Sequence, residues 1–449
     1  MNNGQTPVAH ASDAAARDLR QLHADHAQVG PGEIAIGVVI GRISEFFDFF
    51  VFGLASVLVF PKVYFPFAAP LQAMAYSFAV FSLAFVARPF GSLLARFIHR
   101  WYGRGTKLTV ALFMLGTSTA GIAFLPSYEE IGMAAIVLLA LLRVGQGLAL
   151  GASWDGLPSL LALNAPKNRR GWYAMIAQLG APLGFMLAAA LFAFLLHSLS
   201  DADFREWGWR YPFYVAFAIN VVALFARLRL VVTPEFTQLL KTRELVPSPL
   251  LELVRTQGRS IVLGALAPLA SYALFHLVTV FPLSWVTLFT RDAVSEYLTV
   301  QLIGAAIAVL TMLIGGTVAD RIGRRNTLAT GAVLIALFAI GGMTPLFLHG
   351  TKTGAYIFIL VGFALLGFTH AQASGVVNSS FESRFRYSGA VLTSDFSWLL
   401  GAAFAPLVAL QIAAHLGVGY VGLYLLSGCV ATLVALRLSR RLDGRPVKA

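Results

Sequence analysis

The sequence predicts an all-α polytopic membrane protein of twelve transmembrane helices arranged as two six-helix halves. Three observations carry that prediction: apolar runs long enough to span a bilayer, basic residues confined to alternate loops, and a repeat of loop motifs. The chain of 449 residues is 58% hydrophobic and 12% charged, with a mean hydropathy of +0.75. A span needs about 20 residues at 1.5 Å each to cross about 30 Å of hydrocarbon. Runs of that length recur between short polar breaks. The strands of a barrel would instead read as segments of about ten residues with an alternating pattern.

The net charge of +12 does not mark a nucleic-acid surface, because hydrocarbon-length helices interrupt the charges. Basic residues cluster after the second span (Arg96, Arg100, Arg104, Lys107), the fourth (Lys167, Arg169, Arg170) and the sixth. They cluster again after the eighth span (Arg321, Arg324, Arg325), the tenth (Arg384, Arg386) and at the end of the chain. The intervening loops hold Glu129, Glu130, Asp201, Asp203, Asp292 and Glu296. The positive-inside rule then places both termini in the cytoplasm, which requires an even number of spans.

Taken in order, residues 1–33 form a polar, Ala-rich cytoplasmic tail without a cleavable signal pattern. His23 and His26 in that tail read as solvated histidines rather than a metal site. Spans one to six fall at about 34–60, 71–95, 107–125, 132–163, 171–198 and 211–231, from their apolar runs and breaks. Trp207, Trp209 and Tyr211 read as an interfacial belt before the sixth. Residues 232–259, with Pro247 and Pro249, form a cytoplasmic linker between the halves 34–231 and 260–438. Spans seven to twelve fall at about 260–290, 297–319, 327–349, 354–378, 388–414 and 416–437. Residues 439–449 are a second cytoplasmic tail. Cys429 is the only cysteine, so no intramolecular disulfide forms.

The repeat lies in the interior loops. Gly103-Arg104 matches Asp320-Arg321-Ile322-Gly323-Arg324, with Arg104 and Arg324 separated by 220 in the numbering, while Gly171 and Gly389 are separated by 218. Two offsets that agree indicate duplicated halves.

Ionisable residues inside spans mark function, because a charge at mid-bilayer costs several kcal/mol at least. Arg42, Glu45 and Asp48 share one side of the first span at helical spacing. Glu45 and Asp48 are candidates to carry protons, with a static ion pair to Arg42 as the alternative. Arg143, Gln146 and Trp154 share a face of the fourth span, where Arg143 is expected near the helix start and within reach of the interface. Asp155, near Pro158, is a third candidate to carry protons, and Gln146 and Trp154 are expected with Arg143 to bind substrate. Gly180, Pro182 and Gly184 read as helix-packing positions. In the second half, Tyr272, His276, Gln301, His370, Gln372, Asn378, Asp395 and Trp398 interrupt apolar helices, and Tyr272, His276, Asp395 and Trp398 are expected to bind substrate. No phosphate loop ending in Gly-Lys-Ser/Thr is present, which leaves ion gradients or passive flow as the energy source. No nucleophile–base or metal set marks an enzyme.

With these motifs in place, the chain resembles the metabolite:proton symporter family of the major facilitator superfamily, whose members carry proline and betaine, α-ketoglutarate, citrate or shikimate. Gly41-Arg42-Ile43-Ser44-Glu45-Phe46-Phe47-Asp48-Phe49 looks like that family's Gly-Asn-x-x-Glu-Trp-Tyr-Asp-Phe. Arg88-Pro89-Phe90-Gly91, Arg143-x-x-Gln146-Gly147, Gly208-Trp209-Arg210, Pro234-Glu235-Phe236 and Arg386-Tyr387-Ser388-Gly389 match in the same order. The resemblance implies an inner-membrane secondary transporter, without a cofactor or metal, that takes a small molecule and a proton and works as a monomer. It also implies a gating motif at Gly91, Gly103, Arg104, Asp320, Arg321, Gly323 and Arg324.

Three departures stand out. Arg42 replaces a small polar residue, Arg100 stands where the family has its loop Asp, and Ser153 replaces a Glu after Arg143-x-x-Gln146-Gly147. Gaining Arg42 and losing a Glu leads to an expectation of a positive cavity, hence a mono- or dicarboxylate held by Arg42 and Arg143. An uncoupled facilitator or exchanger and a non-transporting sensor remain alternatives on sequence alone.

Overall fold

The structure is a computed structural model and describes residues 31–153, 161, 165–166, 168–231, 248–341, 351–374 and 381–443. Among these residues every regular element is helical. The first half comprises α1 (Pro31–Leu58), α2 (Pro70–Gly103), α3 (Gly105–Ala123), α4 (Met133–Ala152) and α5 (Arg170–Ser198), then α6 (Tyr211–Val231). The second comprises α7 (Leu250–Phe289) and α8 (Val294–Ile322), α9 (Arg324–Gly341), α10 (Lys352–His370), α11 (Arg386–His415) and α12 (Val418–Ser439). Nine of these have the length and hydropathy to cross a bilayer. The others are α1, α6 and α9, and Arg42, Glu45 and Asp48 are what remove α1 from that set.

Three helices are interrupted. α5 breaks between Ile176 and Gly180, α7 at Pro268 and again before Pro282, and α11 between Gly401 and Ala405. Proline has no N–H to donate, so each Pro in α7 opens the ladder one turn back. Two boundaries differ from the sequence reading. The fourth helix ends at Ala152, with Ser153 as its C-cap, rather than running to 163. The seventh begins at Leu250, behind Pro249 as N-cap, so part of the 232–259 stretch is helical.

Within the first half, α1 packs on α5 and α6, and α4 packs along α2 and α3; in the second, α8 packs on α10, α9 on α12, and α7 on α11 and α12. The halves meet where α5 lies on α8, α2 on α11 and α1 on α7. Hydrocarbon exerts no hydrophobic force between helices, so close packing of small residues holds such a bundle together. The α2–α4 crossing shows this. A Cβ on Gly147 would lie 2.7 Å from the Ala84 Cα, and one on Gly91 would lie 2.7 Å from the Leu148 Cα. Gly91, grouped with the gating motif from sequence, therefore serves this crossing.

The repeat appears in the backbone as well. Gly103 and Gly323 occupy equivalent turns with φ of 84° and 89°, a region that residues with a Cβ rarely enter. At the centre, rings from both halves interlock: Phe50 lies 5.4 Å from Phe275, Phe46 5.7 Å from Trp398 and Phe85 6.0 Å from Trp398 between centroids. Such offset and edge contacts add to apolar burial.

Gly147→Ala is expected to lower the melting temperature of the purified protein, since overpacking a tight crossing costs about 1–3 kcal/mol. Gly258→Ala, whose added Cβ meets open space, is expected to leave it unchanged or raise it. Equal melting of the two variants would speak against the close crossing.

Candidate functional site

The charges of α1 divide between two separate networks. Asp48 is 1% exposed and points into the first half. Its Oδ1 accepts from Thr119 Oγ1 at 2.5 Å and from Asn220 Nδ2 at 3.4 Å. Its Oδ2 accepts from Gln146 Nε2 at 3.3 Å. Gln146 in turn accepts from Arg143 Nη1 at 2.9 Å, and Ser44 donates to Asn220 at 2.8 Å. One carboxylate thus ties α1 to α3, α4 and α6. Its direct partners are neutral donors, and the guanidinium of Arg143 reaches it only through the amide.

Arg143 is fully buried at mid-helix, not near an interface as the sequence reading has it, because α4 runs only from Met133 to Ala152 and its middle falls at Arg143. It donates from Nε to the Phe81 carbonyl at 3.2 Å and lies 3.9 Å over the Phe52 ring. Stacking on aromatic faces supplements hydrogen bonding where a cation has no water.

The second network lies between the halves. Arg42 pairs with Glu45 at 2.7 Å and covers the Phe46 ring at 4.9 Å. Ser153, at the position where the family Glu is missing, donates to Glu45 at 3.3 Å. Across the interface Arg88 of α2 pairs with Asp395 of α11 at 2.7 Å, and Ser92 donates to the same carboxylate at 2.6 Å. Arg42, Glu45 and Arg88 line a cavity together with Phe46, Phe49, Ala84, Phe85, Leu150 and Trp398. The indole N–H of Trp398 has no hydrogen-bond partner among the described residues.

This geometry changes the electrostatic expectation. Each cavity guanidinium is matched by a carboxylate, Arg42 by Glu45 and Arg88 by Asp395, so the described groups sum to neutral rather than positive. Arg143 belongs to the other network and does not line the cavity. Of the second-half candidates, Trp398 lines the cavity, and Asp395 stands behind Arg88, paired with it. Tyr272 stands behind the cavity with its ring 4.6 Å from Trp398. His276 is enclosed by Phe81, Phe275 and Phe49 at 5.3, 5.4 and 5.6 Å, in the core between α1, α2 and α7. Trp154 and Asp155 lie outside the described residues.

Arg88, Ser92, Thr119 and Asn220 were not among the sequence-predicted site residues. Arg88 carried a signal, an arginine inside an apolar run, but its partner is 307 residues away. Thr119 and Asn220 carried none, since single neutral polar residues are ordinary in spans.

The halves are also joined at the end of the bundle that bears the basic loops. Asp320 accepts from the Gly171 and Trp172 N–H groups at 2.6 and 3.3 Å, a carboxylate on the positive end of α5. Gln372 donates to the Gly171 carbonyl at 3.0 Å and Gln178 to Ser374 at 2.7 Å. Arg324 lies beside Asp320, Arg321 is exposed, and the side chain of Arg104 is outside the described residues. On the opposite seam, Arg96 donates to Ser388 Oγ at 3.1 Å. No three His, Cys, Asp or Glu side chains gather as metal ligands among the described residues.

Two helical halves joined around a polar cavity, with buried charges that hydrocarbon would not tolerate, define a multi-pass membrane transporter. The profile of the Major Facilitator Superfamily matches residues 38–397, and the chain belongs to that superfamily. It is 36% identical over 414 residues to an inner membrane metabolite transport protein of Escherichia coli (strain K12), covering 91% of this chain and 93% of that one. It is 28% identical to the shikimate transporter of the same organism over 90% of this chain and 94% of the other. The crystal structure of a D-xylose-proton symporter superposes with a TM-score of 0.69 at 18% identity, over 90% of this chain and 96% of that one.

Removing one member of a buried charged network leaves the other uncompensated, at about 3–5 kcal/mol. Arg143→Met is therefore expected to destabilise the protein strongly, and Arg143→Met combined with Asp48→Asn is expected to recover part of the loss. A double-mutant cycle of unfolding free energies checks this; strictly additive effects would separate the two residues.

Proposed function

We propose that the protein carries a small organic carboxylate across the bacterial inner membrane by alternating access, in symport with a proton. The observation that carries the reading is the Arg88–Asp395 pair, which spans the two halves at the cavity. A substrate carboxylate can take the place of Asp395 on Arg88, or of Glu45 on Arg42, and a guanidinium matches a carboxylate in a bidentate fork. The rings of Phe46, Phe49, Phe85 and Trp398 offer apolar walls to the body of the substrate, and the Trp398 N–H a further donor. Shikimate, proline and betaine, cargoes of the family the sequence resembles, each have one carboxylate. A neutral set of charged groups suits a monocarboxylate or zwitterion better than a dicarboxylate.

Asp48 is the proposed proton carrier. It is held by neutral donors and can gain or lose a proton without breaking a direct ion pair, while its bonds to Thr119, Gln146 and Asn220 report the change to three helices. Protonation alters how α1 sits against α3, α4 and α6, and α1 also carries Arg42 and Glu45 to the cavity. In this reading the basic loops and both termini face the cytoplasm, and the seam they bear is the inner gate. Rigid rocking of the halves about the site then exposes it to either side.

Uptake into proteoliposomes tests the reading. An inward proton gradient is expected to drive accumulation of a monocarboxylate such as shikimate; accumulation that ignores the gradient selects the facilitator or exchanger instead, and binding without flux the sensor. Asp48→Asn is expected to abolish gradient-driven accumulation while preserving counterflow exchange, and full accumulation in that variant removes Asp48 from coupling. Arg88→Gln is expected to weaken substrate binding about 10- to 150-fold, the worth of a 1.5–3 kcal/mol hydrogen bond to a charged group. Unchanged affinity in that variant would place the substrate elsewhere.

A further inference from the structure

Gln301 is a polar interruption of α8 that the cavity does not use. It is fully buried, and its amide donates two hydrogen bonds of 2.7 Å, one to the Val278 carbonyl and one to the Thr279 carbonyl of α7. Both carbonyls lie at the second break of that helix. In an unbroken helix the Val278 carbonyl accepts from the N–H four residues on, and that residue is Pro282, which has none. A carbonyl left open among apolar side chains is costly, and a neighbouring helix can answer it. Gln301 does so through its two N–H groups, while its Oε1 has no partner among the described residues.

The break in α11 is answered in the same way. There the Ala405 N–H turns to the Ala402 carbonyl rather than to Gly401, four residues back, and Tyr424 of α12 donates to the Gly401 carbonyl at 3.0 Å. Beyond these breaks, at the end of the bundle opposite the basic loops, lie the outer segments of α7 (Phe281–Phe289) and α11 (Ala405–His415). They pack on each other, and the α7 segment packs on α1 of the first half. At the α7 break, Val280 is fully buried against Gly53 of α1, with its Cγ2 3.6 Å from where a Cβ on that glycine would stand. The direction in which α7 leaves its break therefore decides whether the halves touch at this end.

On the alternating-access reading, on which this inference rests, we propose that Gln301 is a positioning residue for transport: its amide holds the α7 break at the angle that lays the outer segment on α1, and so sets how readily the outer end opens. Gln301 and both carbonyls belong to the second half, so its bonds travel with that half as it moves and fix a bend within it. Without the amide, the two carbonyls are answered only where water reaches the break, which requires the outer segment to lift from α1. Loss of Gln301 therefore shifts the protein toward the state open at the end away from the basic loops.

The test is the rate at which a membrane-impermeant maleimide, added outside right-side-out vesicles, alkylates Val280→Cys in the full-length protein. Cys429 is 1% exposed, and the parent chain supplies the background. Gln301→Met, of similar length but without a donor, is expected to raise the rate about 5- to 150-fold, the shift that one buried carbonyl without a partner produces. Gln301→Leu repeats the measurement with a different shape, so that one variant answers if the other fails to fold. Pro282→Ala returns an N–H to the Val278 carbonyl, and the same Gln301 change is expected to raise the rate less in that background. Lost packing alone would lower the melting temperature equally in both backgrounds and leave alkylation as it was. An unchanged rate in the Gln301 variants, or an equal rise with and without Pro282→Ala, overturns the role of Gln301 and leaves alternating access standing. Labelling that stays at background in every variant overturns both.

Discussion

Hydrocarbon offers no partner to a charge or an open hydrogen bond, and the arrangement of this protein follows from that constraint. Each ionisable side chain that α1, α2, α4 and α11 carry into the bundle must be answered by another helix or by a cavity. Asp48 is answered by three neutral donors from α3, α4 and α6, and Arg143 by a carbonyl, an amide and aromatic faces. These bonds select the neighbours of α1. They also keep its deeper carboxylate inside the first half while its outer pair, Arg42 and Glu45, faces the second.

The consequence for motion lies in Arg88 and Asp395. An ion pair that crosses between two bodies in low dielectric resists their separation, because each partner would be left bare. Parting the halves at the cavity leaves these two charges to be answered by water or by another group. On the proposed reading a substrate carboxylate is such a group, and a requirement of this kind would link occupancy to opening without a separate signalling element. The polar contacts between the halves include this pair, the Asp320 seam and the Arg96 seam, beside the interlocked rings at the centre.

Much of the fold was legible in the sequence, because hydrocarbon thickness sets helix length and charge bias sets which loops share a side. Twelve helical segments, the duplicated loops and the turns at Gly103 and Gly323 all follow from local pattern. The site was legible only in part. Arg42, Glu45, Asp48, Asp395 and Trp398 stood out as polar interruptions of apolar runs, whereas Thr119 and Asn220 looked like ordinary span residues. The expectation of a positive cavity failed for one reason. It counted Arg42 as a gain and the Glu missing at Ser153 as a loss, but pairing partners come from across the bundle, and Asp395 neutralises an arginine that counting along one helix cannot connect to it.

The sequence alone determined that this is a twelve-helix membrane protein with buried charges in its first span, since length, hydropathy and loop charge are local properties that the bilayer reads directly. Which charge meets which was decided by the tertiary structure. Asp48 meets Thr119 and Asn220 and Asp395 meets Arg88, because only the folded bundle brings residues tens to hundreds of positions apart within hydrogen-bonding distance and excludes the water that would otherwise answer them.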